Sequence, residues 1–97
     1  MGLGIPQVTF EWDEEKNRAN QEKHGVSFEQ AQRAFLDPER RVMVDAAHSE
    51  RELRLFCLGR VDDRVVTVRF TYRADRIRII GAGYWRKGRK AYGQSRG

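Results

Sequence analysis

The chain has 97 residues, enough for one domain with a single hydrophobic core. Lys and Arg outnumber Asp and Glu by 19 to 14, and this excess favours an anionic partner such as a nucleic acid or an acidic protein. No apolar run approaches the roughly 20 residues of a membrane span and Cys57 is the only cysteine, so we expect a cytoplasmic protein without disulfides or membrane contact.

The chain opens with a featureless segment followed by a strand. Residues 1–7 are rich in glycine, and we expect them to form a flexible tail. Residues 8–12 alternate apolar and polar side chains, as a half-buried strand does, with Val8, Phe10 and Trp12 on one side.

Two helices are predicted next, each with well-marked ends. Asp13 is a good N-cap for the first helix and Gly25 suits its left-handed C-terminal position, although this helix has almost no apolar stripe. Ser27 and Gln30 form a capping box for the second helix, and Pro38 ends it. We expect the two helices to form a hairpin.

The second half of the chain is strand-like. Asp62-Asp63 and Ala74-Asp75 are the predicted tight turns, and a short basic helix follows the last strand. The predicted strands are 41–44, 52–61, 64–73 and 76–83. The sequence thus predicts a single α+β domain over residues 8–93, with an N-terminal strand, a helical hairpin on an antiparallel sheet of three to four strands, a short C-terminal helix, and a flexible tail over 94–97.

Alternation along the strands separates an apolar side from an arginine-bearing side. A two-residue loop at Ala74-Asp75 pairs Arg73 with Arg76, Thr71 with Arg78 and Arg69 with Ile80. The apolar side, which we expect to be the core, carries Leu53, Leu55, Cys57, Val61, Val66, Val68, Phe70, Tyr72, Ile77 and Ile79. The other side carries Arg54, Phe56, Leu58, Arg60, Arg69, Arg73, Arg76 and Arg78. A one-residue slip in register would exchange the two sides.

The gathered arginines have two interpretations. Like charges opposite one another in a sheet destabilise it by about 0.2–1 kcal/mol per pair, so a bound polyanion would explain their alignment. Alternatively, they form a solvated face that blocks aggregation, with Glu50, Glu52 or Asp75 neutralising several of them.

Several stretches resemble the BrnT toxins of bacterial type II toxin–antitoxin systems. They are "FEWDEEKNRANQEKHGVSFEQAQRAF", "DPE", "ERELRLFCLGRVDDRVVTVRFTYR" and "RIRII", and the resemblance covers residues 10–92. Its most specific part is the W-D-x-x-K-N-x-x-N-x-x-K-H-G-V-S-F run. The resemblance implies a RelE-like fold and a metal-independent endoribonuclease, without a cofactor, that cleaves RNA and arrests growth. It also implies a BrnA-like antitoxin with a ribbon-helix-helix domain, a heterotetramer with that antitoxin, and contact with operator DNA only through it.

The chain departs from the family near its end. Gly81, Gly83 and Gly88 stand where the family has a serine, an arginine and a glutamate, while Arg89 and Tyr92 keep the matching places. These departures leave open a second hypothesis, a catalytically inactive binding protein whose basic side only holds antitoxin or RNA.

RNA cleavage without a metal needs a base for the 2′-hydroxyl, cations for the charged phosphorane and an acid for the leaving oxygen. The imidazole of His24 exchanges protons near neutral pH, but it also suits a helix-capping role. Glu50 and Glu52 are further candidate bases, or plain ion-pair partners. Tyr92 positions a phosphate, stacks on a base or packs on the core. The predicted catalytic residues are His24, Glu52, Arg64, Arg73, Arg76, Arg78 and Tyr92.

Other basic and aromatic residues are candidates for holding RNA. Lys16, Asn20 and Lys23 share one helical stripe, which either meets a phosphate or faces water. The predicted RNA-binding residues are Lys16, Lys23, Arg54, Arg69, Trp85 and Arg89. His48 is expected to be solvated and Cys57 to lie in the core, and the scattered histidines and cysteine predict no metal site.

Overall fold

The computed structural model describes residues 8–94, which form a five-stranded sheet with three helices and confirm the α+β fold class. Residues 1–7 and 95–97, which belong to the predicted flexible tails, lie outside the described residues. The strands are β1 (Thr9–Glu11), β2 (Arg41–Val44), β3 (Leu55–Val61), β4 (Arg64–Arg73) and β5 (Arg76–Gly83). The helices are α1 (Glu14–His24), α2 (Phe28–Ala31) and α3 (Arg86–Tyr92), and 3₁₀ turns cover Gln32–Leu36 and Ala46–His48.

The strands follow the order β1-β5-β4-β3-β2 across the sheet, and every neighbouring pair is antiparallel except β1 with β5. Both predicted turns are confirmed. Asp62 and Asp63 have φ values of 50° and 68°, as a two-residue hairpin loop with matching twist requires, and Ala74 has φ 55°. The parallel pairing of β1 was not predicted.

The register of the β4–β5 hairpin corrects one predicted pair. Arg73 lies opposite Arg76 and Thr71 opposite Arg78, as expected. A register shift between Arg69 and Phe70 then places Arg69 opposite Gly81 rather than Ile80. Because the extra residue lies on β5, the shift resembles a β-bulge and turns the end of that strand.

The core lies between one face of the sheet and the layer formed by α2 and the 3₁₀ turn that follows it. Phe28, Cys57 and Phe70 are almost fully buried there, together with Val26, Val66, Val68 and Ile79. Three residues predicted on the apolar side lie instead at its margin: Val8 precedes β1, Leu53 precedes β3, and Tyr72 is the second-last residue of β4. Their exposed fractions are 61%, 49% and 55%.

Helix α1 docks through two buried asparagines rather than through an apolar stripe. The Asn20 amide donates to the carbonyls of Val26 and Ala82, both at 2.9 Å, and its Oδ1 accepts from the Ala82 N–H at 3.2 Å. It thus takes the place of a neighbouring strand on β5, beyond the point where β1 ends. Asn17 accepts from the Phe28 N–H at 2.8 Å and donates to Glu29 at 2.9 Å. Asn20 is therefore turned inward, which corrects its predicted place on a phosphate-facing or solvated stripe.

Helix α3 covers part of the opposite face of the sheet. Its Gly88 packs directly on Thr67 and Leu58, and a side chain at this position would overlap the Thr67 hydroxyl. Leu58 is consequently 2% exposed, although it lies on the arginine-bearing side as predicted. None of the helices within residues 8–94 is both long and apolar enough to cross a membrane.

We expect Asn20→Ala to lower the free energy of unfolding by about 2–4 kcal/mol, because it removes three hydrogen bonds and leaves buried backbone groups unpaired. Urea unfolding followed by circular dichroism measures this change. The matched variant Glu22→Ala, at an exposed position of the same helix, should alter stability by less than about 0.5 kcal/mol. Equal effects of the two substitutions would contradict the structural role of Asn20.

Candidate functional site

Five arginines lie side by side on the sheet face opposite the core. We call them the arginine face: Arg54, Arg69, Arg73, Arg76 and Arg78. They are brought together by the alternation of β3, β4 and β5 and by the short hairpin at Ala74. Arg60, also predicted on this side, lies against the end of α3, with its guanidinium 5.5 Å from the centre of the Tyr92 ring.

Glu11 neutralises one edge of the arginine face. Its two carboxylate oxygens accept one hydrogen bond each, from Arg76 and Arg78, both at 3.1 Å. The hydrogen bonds from Arg76 and Arg78 lower the pKa of Glu11 below its ordinary value. Glu11 is therefore an ionised clamp that aligns the two guanidiniums and a poor proton acceptor.

Glu52, predicted as a candidate base, lies among the arginines. Its Oε2 is 3.3 Å from Arg54 Nη2 and 3.8 Å from Arg73 Nη2. This arrangement matches the alternative that the sequence left open, an ion-pair partner. A buried Nε of Arg54 has no hydrogen-bond partner among the described residues, so the pairing with Glu52 leaves part of that guanidinium unsatisfied.

Arg69 differs from its four neighbours. It is half-buried, and no carboxylate within residues 8–94 pairs with it. It lies opposite Phe56 on β3 and Gly81 on β5, so its side chain rises from the middle of the sheet. A half-buried cation that lacks a counter-ion in the protein is a natural place for an anion to bind.

Arg69 lines a groove of about 610 Å³ between α3 and the strands β2 and β3. The groove has mainly apolar walls, formed by Met43, Val44, Phe56, Leu58, Trp85 and Ala91. Its polar lining comprises Asp45, His48, Thr67, Arg69 and Lys87. Cations, aromatic rings and an imidazole thus share one concave surface.

His48 was expected to be only solvated, and the structure gives it a partner. Its Nδ1 lies 2.9 Å from Oδ2 of Asp45, whose carboxylate is almost fully buried, while the His48 side chain is 60% exposed. The signal in the sequence was the D-x-x-H spacing, which the 3₁₀ turn at Ala46–His48 folds into one contact.

His24 contacts Trp85, one of the residues that line the groove. Their ring centroids are 5.0 Å apart, in an edge-to-face arrangement. The Trp85 ring also covers Gly83, where a Cβ atom would lie 2.7 Å from the indole carbons. A side chain at position 83 therefore requires Trp85 to move, so the two residues are coupled by packing.

Other predicted site residues lie elsewhere. Arg64 stacks over Tyr84, with its guanidinium 3.4 Å from the ring centre, about 30 Å along β4 from Arg73. Tyr92 donates its hydroxyl to Asp37 at 2.6 Å, and this hydrogen bond raises the pKa of Tyr92. Arg89 donates to the Tyr84 carbonyl at 2.9 Å. Lys16 and Lys23 are exposed on α1, away from the groove lining.

The environment of Cys57 and the arrangement of metal-ligating side chains bear on two further kinds of chemistry, attack by a thiol and metal-assisted cleavage. Cys57 lies in the core as predicted, and burial raises its pKa to about 12, so the thiol is not a nucleophile. Over residues 8–94, no group of histidine, cysteine and acidic side chains is arranged to hold a metal ion.

One comparison with known proteins gives a match. A family model described as the ribonuclease toxin BrnT of type II toxin–antitoxin systems matches residues 12–88. No protein with curated annotation matches the chain. The matched range includes α1, the whole arginine face and nearly all of the groove, while Glu11, Arg89 and Tyr92 lie outside it.

Glu11→Gln should destabilise the protein at pH 7 and have progressively less effect as the pH falls below about 4.5. The folded-state pKa of Glu11 lies below its ordinary value of 4.5, so its ion pairs stabilise the fold above that pH and are lost as the carboxylate is protonated. Thermal unfolding of both proteins between pH 3 and 7 measures the difference. A constant difference over that interval would contradict the assignment; Glu50→Gln, at an exposed site, serves as control.

Proposed function

The chain belongs to the BrnT family of ribonuclease toxins of type II toxin–antitoxin systems, and from this premise we propose that it is a metal-independent endoribonuclease that a BrnA-like antitoxin neutralises. The environment of Arg69 is the main observation in support of this proposal. Arg69 is a half-buried cation with no counter-ion among residues 8–94, and it belongs both to the arginine face and to the groove lining.

The arginine face supplies the electrostatic part of the reaction. Five guanidiniums face two carboxylates, Glu11 and Glu52, so the surface keeps an excess of positive charge after all its ion pairs are formed. Phosphates of a single strand can follow Arg73, Arg76 and Arg78 along the hairpin. The cation nearest the scissile phosphate stabilises the charge that develops on its oxygens in the transition state.

Aromatic side chains supply the recognition of unpaired bases. Phe56 and Trp85 line the groove on either side of Arg69, and rings of this kind stack on the bases of single-stranded RNA. His24 contacts Trp85 and so borders the same groove. Arg64, Arg89 and Tyr92 are held by partners outside the groove, and we do not include them in the proposed catalytic centre.

The outer edge of β2 is a suitable binding place for a strand of the antitoxin. Val42, Met43 and Val44 of β2 are 50%, 42% and 58% exposed, and β2 has no neighbour on its outer side among the described strands. An extended antitoxin segment can add a strand there and cover the groove. Acidic residues on that segment would complement Arg69 and Lys87 at the groove.

A catalytically inactive binding protein is the second candidate. Gly83 and Gly88 replace an arginine and a glutamate of the family pattern, and both positions are closed by packing, under Trp85 and against Thr67. The missing groups therefore cannot be supplied from these positions without rearrangement. This observation favours a surface that retains antitoxin or RNA without cutting it.

The proposal predicts that the purified protein cleaves RNA in excess EDTA and that Arg69→Ala reduces the rate at least about 10-fold, because it removes the cation at the phosphate. Mapping of new 5′ ends on total RNA measures cleavage. Arg33→Ala is the matched control, since it removes the same charge from an exposed ion pair with Asp62 in the helical layer.

Two results would contradict the proposal. Cleavage that appears only after Mg²⁺ is restored would exclude the metal-independent reaction. Intact RNA from folded protein under all conditions, with RNA retained on the protein in a salt-sensitive way, would favour the binding role.

A further inference from the structure

We propose that His48, oriented by Asp45, is the general base of RNA cleavage and that the groove beside Arg69 holds the scissile phosphate. The inference rests on the proposed ribonuclease function and deepens it, by giving the reaction a base. Neither His24 nor Glu52 meets the geometric requirements as well.

The Asp45 carboxylate holds the imidazole in one tautomer. A carboxylate only accepts hydrogen bonds, so the Nδ1 of His48, 2.9 Å from Asp45 Oδ2, carries the hydrogen. In the neutral imidazole, the Nε2 atom then keeps its lone pair for a substrate proton. A carboxylate that orients a histidine in this way also stabilises the imidazolium formed when the proton is taken.

The backbone fixes Asp45 itself. Its N–H donates to the Arg54 carbonyl at 2.8 Å, and its carbonyl accepts from the Ser49 hydroxyl at 2.7 Å and from the His48 N–H at 3.2 Å. The carboxylate is buried while the imidazole is largely exposed, so the pair presents its reactive nitrogen to solvent and to a ligand. Precise placement of a base by rigid neighbours is what proton transfer requires.

The sheet places His48 and Arg69 along the same groove. Met43, Phe56 and Arg69 lie directly opposite one another on β2, β3 and β4, so Arg69 is about 10 Å across the sheet from Met43. Asp45 follows Met43 by two residues, and both Asp45 and His48 line the groove with Arg69 and Lys87. The imidazole and the two cations thus line one groove, in which we place the bound phosphate.

The other candidate bases have contacts that suit proton transfer less well. Glu11 and Glu52 are ion-paired with arginines. His24 contacts the Trp85 ring, and no acidic side chain among residues 8–94 is hydrogen-bonded to it. Within the described part of the chain, His48 is the histidine that combines an orienting carboxylate with an open side toward the groove.

The reaction balances without an added reagent. Nε2 of His48 takes the proton of the 2′-hydroxyl, whose oxygen bonds to the adjacent phosphorus as the bond from phosphorus to O5′ breaks. The products are a 2′,3′-cyclic phosphate and a 5′-hydroxyl, which receives a proton from water as His48 returns its proton to solvent. Arg69 stabilises the negative charge that develops on the phosphate oxygens while one P–O bond forms and the other breaks.

The test compares variants of His48 that differ in what they preserve. His48→Asn keeps an N–H donor for Asp45 but lacks a basic nitrogen, so it should cut at least about 100-fold more slowly while binding the same RNA with affinity within about 2-fold. His48→Ala should be equally slow and should regain activity when imidazole is added to the buffer. Thermal unfolding of each variant confirms that it is folded.

Asp45 is a positioning residue and has its own readout. Asp45→Asn should lower kcat and leave the KM for a defined single-stranded RNA unchanged, and added imidazole should not restore its activity. A loss that appeared only in KM or in stability would indicate a structural role instead.

The outcomes separate the two proposals. If the wild type cleaves RNA in EDTA and His48→Asn cleaves at the same rate, the assignment of His48 is wrong and the ribonuclease function stands. Cleavage products with 3′-monophosphate or 3′-hydroxyl ends from the outset would also overturn it. If the folded wild type leaves RNA intact, both proposals fail together.

Discussion

The fold depends on the side chain of one asparagine. Asn20 satisfies both backbone groups of Ala82 where β1 no longer covers the edge of β5, and it also binds the carbonyl that precedes the second helix. Together with the hydrogen bonds of Asn17, this contact holds α1, whose surface lacks an apolar stripe. The position of α1 in turn sets His24 against Trp85, and Trp85 opens the helix that closes one side of the groove. The hydrogen bonds of Asn20 at one strand edge thus help to position the residues that surround the groove.

Charge on the opposite face is only partly compensated. Two carboxylates hold four of the arginines in alignment. Aligned guanidiniums repel one another, and a run of bound phosphates would offset this repulsion. Arg69 has no counter-ion in the part of the chain that the structure describes, and it lines the same groove as the aromatic walls and the pair formed by His48 and Asp45. In the proposed function these two parts of the surface have different roles, since the hairpin would attract a polyanion and the groove would hold one of its phosphates.

Local signals in the sequence predicted much of this structure. The caps at Asp13, Gly25 and Ser27, the turns at Asp62 and Ala74 and the alternation of the strands all depend on neighbours in the chain, and all are confirmed. The remaining features depend on contacts between distant segments. The shift that pairs Arg69 with Gly81, the parallel β1 strand and the inward turn of Asn20 arise from packing across the sheet. The contact of His48 with Asp45 was not predicted, because the D-x-x-H spacing does not show that the Asp45 carboxylate is buried beside an exposed imidazole.

The two asparagines that dock α1 lie within the W-D-x-x-K-N-x-x-N stretch by which the sequence most closely resembles its family. Within residues 8–94, their hydrogen bonds go to the backbone and to Glu14, Gln21 and Glu29, and none of these partners lines the groove. These two positions are thus explained by the architecture of the protein. A chain can therefore match the family at both asparagines because it needs them to fold, whether or not it cuts RNA.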